Sequence, residues 1–272
     1  MDLSFDTKRK LEALADWYRR RKGSIVAFSG GIDSTLALYL ARTFQGRDHA
    51  IGVISQSESL KARDFELARD FCQAFDIKLE VIRTRELTDE RYAQNPANRC
   101  FFCKQHLFVD LGGLAQSYPG FAVLSGANHD DRSDYRPGME AAKKYDVLSP
   151  FLDCKLGKQG IRELARHFGL PHWDKPASPC LSSRIPYYQP VTAEKLRQIE
   201  AAEELLLAAG FPNARVRHYV NTARIEVPQD RLSDLRDLQA QLVPAIQALG
   251  FEVCEIDAEG LVSGKLNRAL HT

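Results

Sequence analysis

Residues 24–40 read SIVAFSGGIDSTLALYL, and this stretch decides the fold. An apolar run, Ile25 to Phe28, leads into Ser29-Gly-Gly-Ile-Asp-Ser34. A second run, Leu36, Ala37, Leu38 and Leu40, leads out at helical spacing. The pattern predicts a strand, a tight loop and a helix. A loop in that position aims backbone N–H groups at a ligand, and the helix N-terminus adds partial positive charge. Gly30 and Gly31 let a polyphosphate approach without a Cβ in the way. Ser29 and Ser34 offer hydroxyl donors, and Asp33 can reach a phosphate-bound Mg²⁺.

No lysine follows the glycines, so the Walker pattern is absent. The loop is therefore poorly suited to gripping a γ-phosphate for transfer. Ser-Gly-Gly-x-Asp-Ser resembles the loop of the ATP pyrophosphatases. That resemblance implies cleavage of ATP between the α- and β-phosphates, with adenylation of a substrate.

The rest of the chain alternates. Strands are expected at 24–28, 50–55, 77–82 and 121–125, with a short one near 146–148. Helices are expected at 33–45, 59–75, 102–117, 137–144 and 158–168. The order predicts an α/β fold with a doubly wound, mostly parallel sheet, whose ligands sit beyond the carboxyl ends of the strands. Five prolines punctuate 171–190: Pro171, Pro176, Pro179, Pro186 and Pro190. They mark an ordered loop or linker. Beyond it the pattern changes to helix (192–209), strands (about 214–219 and 223–228), helix (about 230–248) and strand (251–256). That order suggests a small α+β domain with a ferredoxin-like arrangement. The expected domains are 1–170, which binds ATP, a cysteine-bearing linker at 171–190, and a small domain at 191–272.

Composition narrows the partners. Lys and Arg total 37 against 36 Asp and Glu, so no global basic field exists to draw nucleic acid. There is no run of 18 apolar residues, and the opening 23 residues read as a charged amphipathic helix rather than a leader. The expectation is a cytoplasmic protein without a membrane partner.

Six cysteines in such a chain point to metal or catalytic use rather than disulfides. Cys100 and Cys103 form a C-x-x-C at the start of a helix. That pair is open to zinc, a redox disulfide or simple packing. Cys180 lies in the polar, proline-bounded Ser178-Pro-Cys-Leu-Ser-Ser-Arg-Ile-Pro186. Cys72 and Cys254 read as core residues, and Cys154 is ambiguous. Three thiolates can hold three corners of a [4Fe–4S] cluster, whereas zinc would need a fourth ligand, for which His106 and His129 are candidates.

Five motifs in order then become specific. They are Ser29–Ser34, Asn95-Pro-Ala-Asn-Arg-Cys-Phe-Phe-Cys-Lys104, Gly126-Ala-Asn-His-Asp-Asp131 with Asp134-Tyr-Arg-Pro-Gly138, Cys180–Pro186, and Arg215-Val-Arg217 with Ala223-Arg-Ile-Glu226. In these residues the chain resembles the LarE family, ATP-dependent sulfur transferases that make the nickel-pincer nucleotide cofactor of lactate racemase. The resemblance implies a pyridinium mononucleotide substrate bearing two carboxylates. ATP with Mg²⁺ adenylates one carboxylate, and sulfur then displaces AMP to give a thiocarboxylate. In one branch the cysteine at the position of Cys180 surrenders its own sulfur and becomes dehydroalanine. In the other, three cysteines hold a [4Fe–4S] cluster carrying an extra sulfide. The presence of Cys100 and Cys103 resembles the second branch. Sulfide or a cysteine desulfurase is the expected sulfur source, and the family implies a homo-oligomer.

The remaining site residues have both functional and plain readings. On a strand, Arg215 and Arg217 face the same side and suit a phosphate, or a solvated face. Asn128, Asp130 and Asp131 follow an apolar strand and suit substrate or Mg²⁺, or an Asx-capped turn. Arg184 suits a substrate carboxylate or a salt bridge. Two other enzymatic readings compete: a zinc-bearing enzyme resembling deazaguanine nitrile synthases, and a tRNA-thiolating enzyme. A non-enzymatic ATP-binding sensor would keep the Ser29 loop but need neither Cys180 nor the arginine pair.

Overall fold

The computed structural model describes residues 3–133, 137–171, 173–174, 178–262 and 264–270. Asp134, Tyr135 and Arg136 of the third motif lie outside the described residues, as does Pro176 of the proline-rich stretch. In chain order the helices and strands are α1 (Phe5–Arg19), β1 (Gly23–Ala27), α2 (Ile32–Gln45), β2 (Ala50–Ser55), α3 (Ala62–Ala74), β3 (Lys78–Ile82), α4 (Glu90–Ala93) and α5 (Arg99–Ala115). Then come β4 (Phe121–Leu124), α6 (Pro137–Lys144), α7 (Pro150–Asp153), α8 (Lys158–His167), α9 (Ala193–Ala208), β5 (Arg215–Tyr219), β6 (Thr222–Glu226), α10 (Leu232–Asp237), α11 (Gln239–Gln247) and β7 (Val253–Ile256).

The chain forms two compact units. The first takes the chain up to Glu86 together with Cys100–Ser178, and the second takes Leu87–Arg99 together with Pro179 onward.

The first unit is built on a parallel sheet in the order β3-β2-β1-β4. Its central strands are apolar because both faces are covered. Val26, Phe28 and Ile54 join the core formed with α1, α2 and α8, while Ile25, Ile51 and Val53 join the opposite core with Leu107, Phe108 and Leu111 of α5. Period-two alternation thus feeds two helical layers from one run of hydrophobic residues. The edge strand β3 carries Lys78 and Glu80, as an unpaired edge should. The short strand expected near 146–148 is a single parallel bridge, Leu124 to Leu148. The chain runs from β1 to β2 and β3 on one side and returns to β4 on the other. The carboxyl ends of β1 and β4 therefore flank a topological switch point, the crevice where α/β sheets bind ligands.

The second unit has a three-stranded sheet, β5-β6-β7, with β5–β6 antiparallel and β6–β7 parallel. Leu206, Phe211, Val216, Ile225, Leu235 and Ile246 are among its core residues. A ferredoxin-like repeat needs a strand before α9; among the described residues that stretch holds a 3₁₀ turn, Leu181–Arg184, and loop. The long helix expected at 230–248 is two helices, divided at Leu238. Pro244 sits inside the second and has no N–H to give to the preceding turn.

Candidate active site

In the first unit the loop between β1 and α2 is tied by its own side chains. Ser34 Oγ donates to the Gly31 carbonyl (3.0 Å), and the Ser29 N–H donates to Ser34 Oγ (3.2 Å). Gly30 has φ +72°, and a Cβ there would lie 3.2 Å from the Asp64 carbonyl of α3. Gly31 is the N-cap of α2, and no side chain caps it. No cap side chain takes the N–H groups of the first helical turn, which lie beside two glycines and two hydroxyls. This is how an anion would be held by backbone dipoles rather than by a lysine.

The loop after β4 closes the other side of the crevice. A Cβ on Gly126 would fall 2.7 Å from the Ser34 nitrogen and 3.0 Å from the Asp33 carbonyl carbon. Only glycine lets this backbone cross the start of α2. Two residues on, buried Asn128 donates its side-chain N–H to Asp33 Oδ2 (3.3 Å). Asn128 Oδ1 accepts from the Asp130 N–H (3.1 Å), and Asp131 Oδ2 accepts from the Asn128 N–H (3.0 Å). Asp130 Oδ2 accepts from the Lys158 N–H (2.8 Å) and so caps α8. The Asx-turn reading therefore describes what Asp130 and Asp131 do within the chain, while Asn128 reaches the ATP-type loop directly. Asp33 is half-buried in the first turn of α2. One carboxylate is what Mg²⁺ needs from protein when phosphates and water fill its other positions.

In the second unit the 3₁₀ turn after Cys180 meets β5 and α9. Arg184, 1 % exposed, pairs with Glu203 through Nε (2.7 Å) and Nη2 (3.1 Å). Its Nη1 donates to the carbonyls of Pro179 (2.7 Å) and Cys180 (3.3 Å). Arg217 is also buried: Nε and Nη2 meet Glu226 Oε2 at 2.9 and 2.7 Å, and Nη1 donates to the Ser183 carbonyl (2.8 Å). Both guanidiniums are committed to salt bridges. Arg215 differs. It is half-buried and has no hydrogen-bonding partner among the described residues. Burial lowers its pKa first, and the neighbouring Arg184 and Arg217 charges lower it further. Arg215 thus adds a positive charge beside the Arg184–Glu203 and Arg217–Glu226 pairs with no hydrogen bond of its own among the described residues, an arrangement able to meet an anion.

Cys180 is exposed and N-caps that turn. The segment Asn95–Arg99 braces it from below. Asn95 Nδ2 donates to the carbonyls of Pro186 (2.7 Å) and Gln189 (3.0 Å), Arg99 donates to the Ser182 carbonyl (2.9 Å), and Tyr92 shares a 2.6 Å bond with Ser182 Oγ. Asn95 adopts φ +56°, a conformation that asparagine tolerates better than most residues. Asn95, Arg99 and Gly126 were not among the expected site residues. Their signals were in plain view: an Asn-Pro turn, an arginine beside a cysteine, and a glycine ending a strand.

Cys100 and Cys103 occupy the first turns of α5, three residues apart and so on one helix face. Cys100 is exposed and Cys103 half-buried. Cys72 is buried, as expected, and burial pushes its thiol up to about 12. Cys154 and Cys254 are half-buried, with thiols pushed up to about 11 by burial. Among the described residues no group of three or more His, Cys, Asp or Glu side chains is placed to hold a metal ion.

Comparison with known proteins agrees with this geometry. Residues 14–99 match the family model described as NAD synthase, which spans β1, the Ser29 loop and α2. The chain is 40% identical over 263 residues to an uncharacterised protein of Synechocystis sp., covering 96% of this chain and 98% of that one. It is 34% identical over 245 residues, 90% of this chain and 89% of the other, to the pyridinium-3,5-bisthiocarboxylic acid mononucleotide synthase of Lactiplantibacillus plantarum. The chain belongs to the LarE family. An uncharacterised protein of Methanocaldococcus jannaschii is also similar, at 28% identity over 88% of this chain and 91% of its own length. The fold is that of an ATP-using enzyme.

Proposed function

We propose that this protein is an ATP-dependent sulfur transferase that acts on a pyridinium mononucleotide bearing carboxylates. The observation that carries the reading is exposed Cys180, whose carbonyl is held by Arg184 in the same cluster as Arg215, which has no hydrogen-bonding partner among the described residues. An exposed thiol opens the turn that carries Arg184, and Arg184 in turn neighbours Arg215 of β5. The relative from L. plantarum, named for a bisthiocarboxylic acid mononucleotide, gives that pairing its chemistry.

In the first step a substrate carboxylate oxygen attacks the α-phosphorus of ATP. The bond to the β-phosphate oxygen breaks, and pyrophosphate leaves into the N–H groups at Gly31 and the first turn of α2. Ser29, Gly30, Gly31 and Ser34 hold the phosphates, and Asp33, oriented by Asn128, holds Mg²⁺. Asp130 and Asp131 act through the turn that sets Asn128. In the second step a sulfur nucleophile attacks the acyl carbon and AMP departs with the former carboxylate oxygen. Arg215 takes the substrate phosphate, while Arg217 and Arg184 shape its pocket.

Cys180 is the sulfur-bearing residue of this proposal. Acting alone, its thiolate forms a thioester. Loss of the Cα proton to a base then breaks the Cβ–S bond, leaving a thiocarboxylate and dehydroalanine. The alternative keeps Cys100, Cys103 and Cys180 as ligands of a [4Fe–4S] cluster. It is supported by sequence adjacency: Arg99, which immediately precedes Cys100, donates to Ser182, two residues past Cys180. When bound, such a cluster would supply a renewable sulfide. Sulfide or a cysteine desulfurase as source, and assembly as a homo-oligomer, belong to the same proposal.

The test supplies ATP, Mg²⁺ and the pyridinium biscarboxylate mononucleotide. Expected are substrate-dependent pyrophosphate release and a product in which sulfur replaces oxygen, read by mass spectrometry. Pyrophosphate release without sulfur in the product would reduce the reading to a ligase of another kind. Iron, sulfide and zinc assays after anaerobic purification separate the cluster from the sacrificial cysteine and from a zinc enzyme.

A further inference from the structure

At the carboxyl edge of the first unit's sheet, five side chains form one hydrogen-bonded chain. Thr84 Oγ1 donates to Glu86 Oε2 (2.6 Å), and Ser59 Oγ donates to Glu86 Oε1 (3.0 Å). Ser55 Oγ lies 2.6 Å from Thr84 Oγ1, and Ser57 Oγ lies 3.0 Å from Ser59 Oγ. Glu86 is 2 % exposed and has no basic partner among the described residues. A buried carboxylate satisfied only by hydroxyls is unusual, because charge at depth is normally met by charge.

The direction of every hydrogen in this chain follows from counting. A carboxylate only accepts, and each hydroxyl has one hydrogen. Thr84 and Ser59 spend theirs on Glu86. Ser55 must therefore donate to Thr84, and Ser57 must donate to Ser59. Both outer serines are left with lone pairs and no hydrogen. Both are half-buried, while Thr84, Ser59 and Glu86 are buried. They therefore sit at the open ends of the chain.

Their location is set by the sheet. Ser55 ends β2, which pairs with β1, and the Phe28 N–H donates to the Val53 carbonyl (2.8 Å) at the start of the phosphate loop. Ser57 leads into α3, whose Asp64 carbonyl and Ala68 Cβ pack on Gly30. We propose that Glu86 makes Ser55 and Ser57 an acceptor-only pair that recognises hydrogen-donating groups on the nucleoside part of the bound nucleotide. Those groups are the ribose hydroxyls or the exocyclic amine of the base. Ser55 and Ser57 are binding residues, and Glu86 is a positioning residue that acts through them. The inference rests on the ATP-using reading above and names how that site selects its nucleotide.

The test is equilibrium binding, by titration calorimetry with Mg²⁺, of ATP, 2′-deoxy-ATP, 3′-deoxy-ATP and purine riboside triphosphate. The wild-type protein is expected to bind ATP about ten-fold more tightly than at least one analogue. The deoxy analogues report the ribose, and the purine riboside reports the amine. Ser55→Ala and Ser57→Ala should erase most of that preference. Glu86→Gln is the sharper variant because it keeps the shape. Whichever way its amide is turned, the NH₂ donates to one inner hydroxyl. That arm reverses, and its outer serine becomes a donor. Its preference for ATP over the analogue should fall or invert while melting stays cooperative. Equal affinity of the wild type for all four nucleotides overturns the inference and leaves the ATP reading intact. So does a preference that survives in both alanine variants. Failure to bind any nucleotide overturns both.

Discussion

The side-chain amide of Asn128 donates to the carboxylate of Asp33 across 3.3 Å, joining the loop after β4 to the first turn of α2. The bond spans the switch point of the sheet. It gives the carboxylate one fixed direction before any ligand arrives, and the turn through Asp130 and Asp131 holds Asn128 in place.

Removing either end should therefore have unequal effects. Asp33→Ala should abolish pyrophosphate release while melting stays cooperative and falls only slightly, because a half-buried carboxylate of the first α2 turn is lost and no core is opened. Asn128→Ala should lower the rate about ten-fold, in line with one hydrogen bond to a charged group, and also lower stability because Asn128 is buried. Wild-type turnover by a folded Asp33→Ala protein would remove that residue from the chemistry.

Gly126→Ala tests the crevice itself. The added methyl would meet backbone atoms of Asp33 and Ser34 at 3.0 Å or less, so the phosphate loop must move. Overpacking of this kind costs about 1–3 kcal/mol. The expected result is a loss of ATP affinity larger than any loss for the mononucleotide. Unchanged ATP affinity would mean that the loop yields without consequence.

The arginines separate into stability and binding. Arg217→Ala leaves Glu226 buried at 1 % exposure without its main partner and should destabilise the protein by about 3–5 kcal/mol. Arg215→Ala removes an arginine with no hydrogen-bonding partner among the described residues. It should leave melting unchanged and weaken mononucleotide binding by about 1.5–3 kcal/mol, the worth of a charge-assisted contact to phosphate. Calorimetry with the mononucleotide and with ATP checks both. Loss of ATP affinity in Arg215→Ala would contradict the assignment.

Cysteine chemistry should follow exposure. Cys180→Ser is expected to stop sulfur transfer and spare adenylation, whereas Cys72→Ser and Cys254→Ser should transfer sulfur normally. Alkylation at neutral pH, followed by mass spectrometry, should label Cys180 and Cys100 ahead of Cys72, whose thiol is held near 12. If Cys180 is found as dehydroalanine after one turnover while Cys100→Ser and Cys103→Ser stay active, the cluster is excluded.

Acid should weaken the second unit through His218. Burial holds its pKa down to about 4, with Lys195 adding to the effect. Its Nε2 meets Gln198 Oε1 at 2.9 Å, so the neutral ring carries its hydrogen there, and buried Nδ1 has no hydrogen-bond partner among the described residues. The unfolded chain takes up this proton near pH 6.5 and the folded one only near 4. Stability is thus complete above about 6.5 and falls as pH drops toward 4. Melting temperatures over that window should fall less steeply in His218→Gln than in wild type.

Much of this was legible in the residues. The helix spans of the first unit follow the apolar periodicity to within a few residues, because each helix buries one stripe against a sheet whose central strands are apolar on both faces. Ser29–Ser34 announced its own geometry, since strand, glycines and helix are local in sequence. The arginines could not be ranked that way. Arg215 and Arg217 share a strand face, yet Glu226 of β6 binds one guanidinium and leaves the other open. Arg184 finds Glu203 on a helix that follows it.

The sequence by itself determined the sheet, the phosphate loop and the family, because these depend on residues adjacent in the chain and on periodicity. Only the tertiary structure decided which polar side chains are spent on one another. It placed Asn128 against Asp33, Asn95 and Arg99 under the Cys180 turn, and Glu86 among four hydroxyls, and it left Arg215 without a hydrogen-bonding partner among the described residues. Those pairings join residues up to 95 positions apart. They are selected by the energy of burying a polar group, which has no signature along the chain until folding removes the water around it.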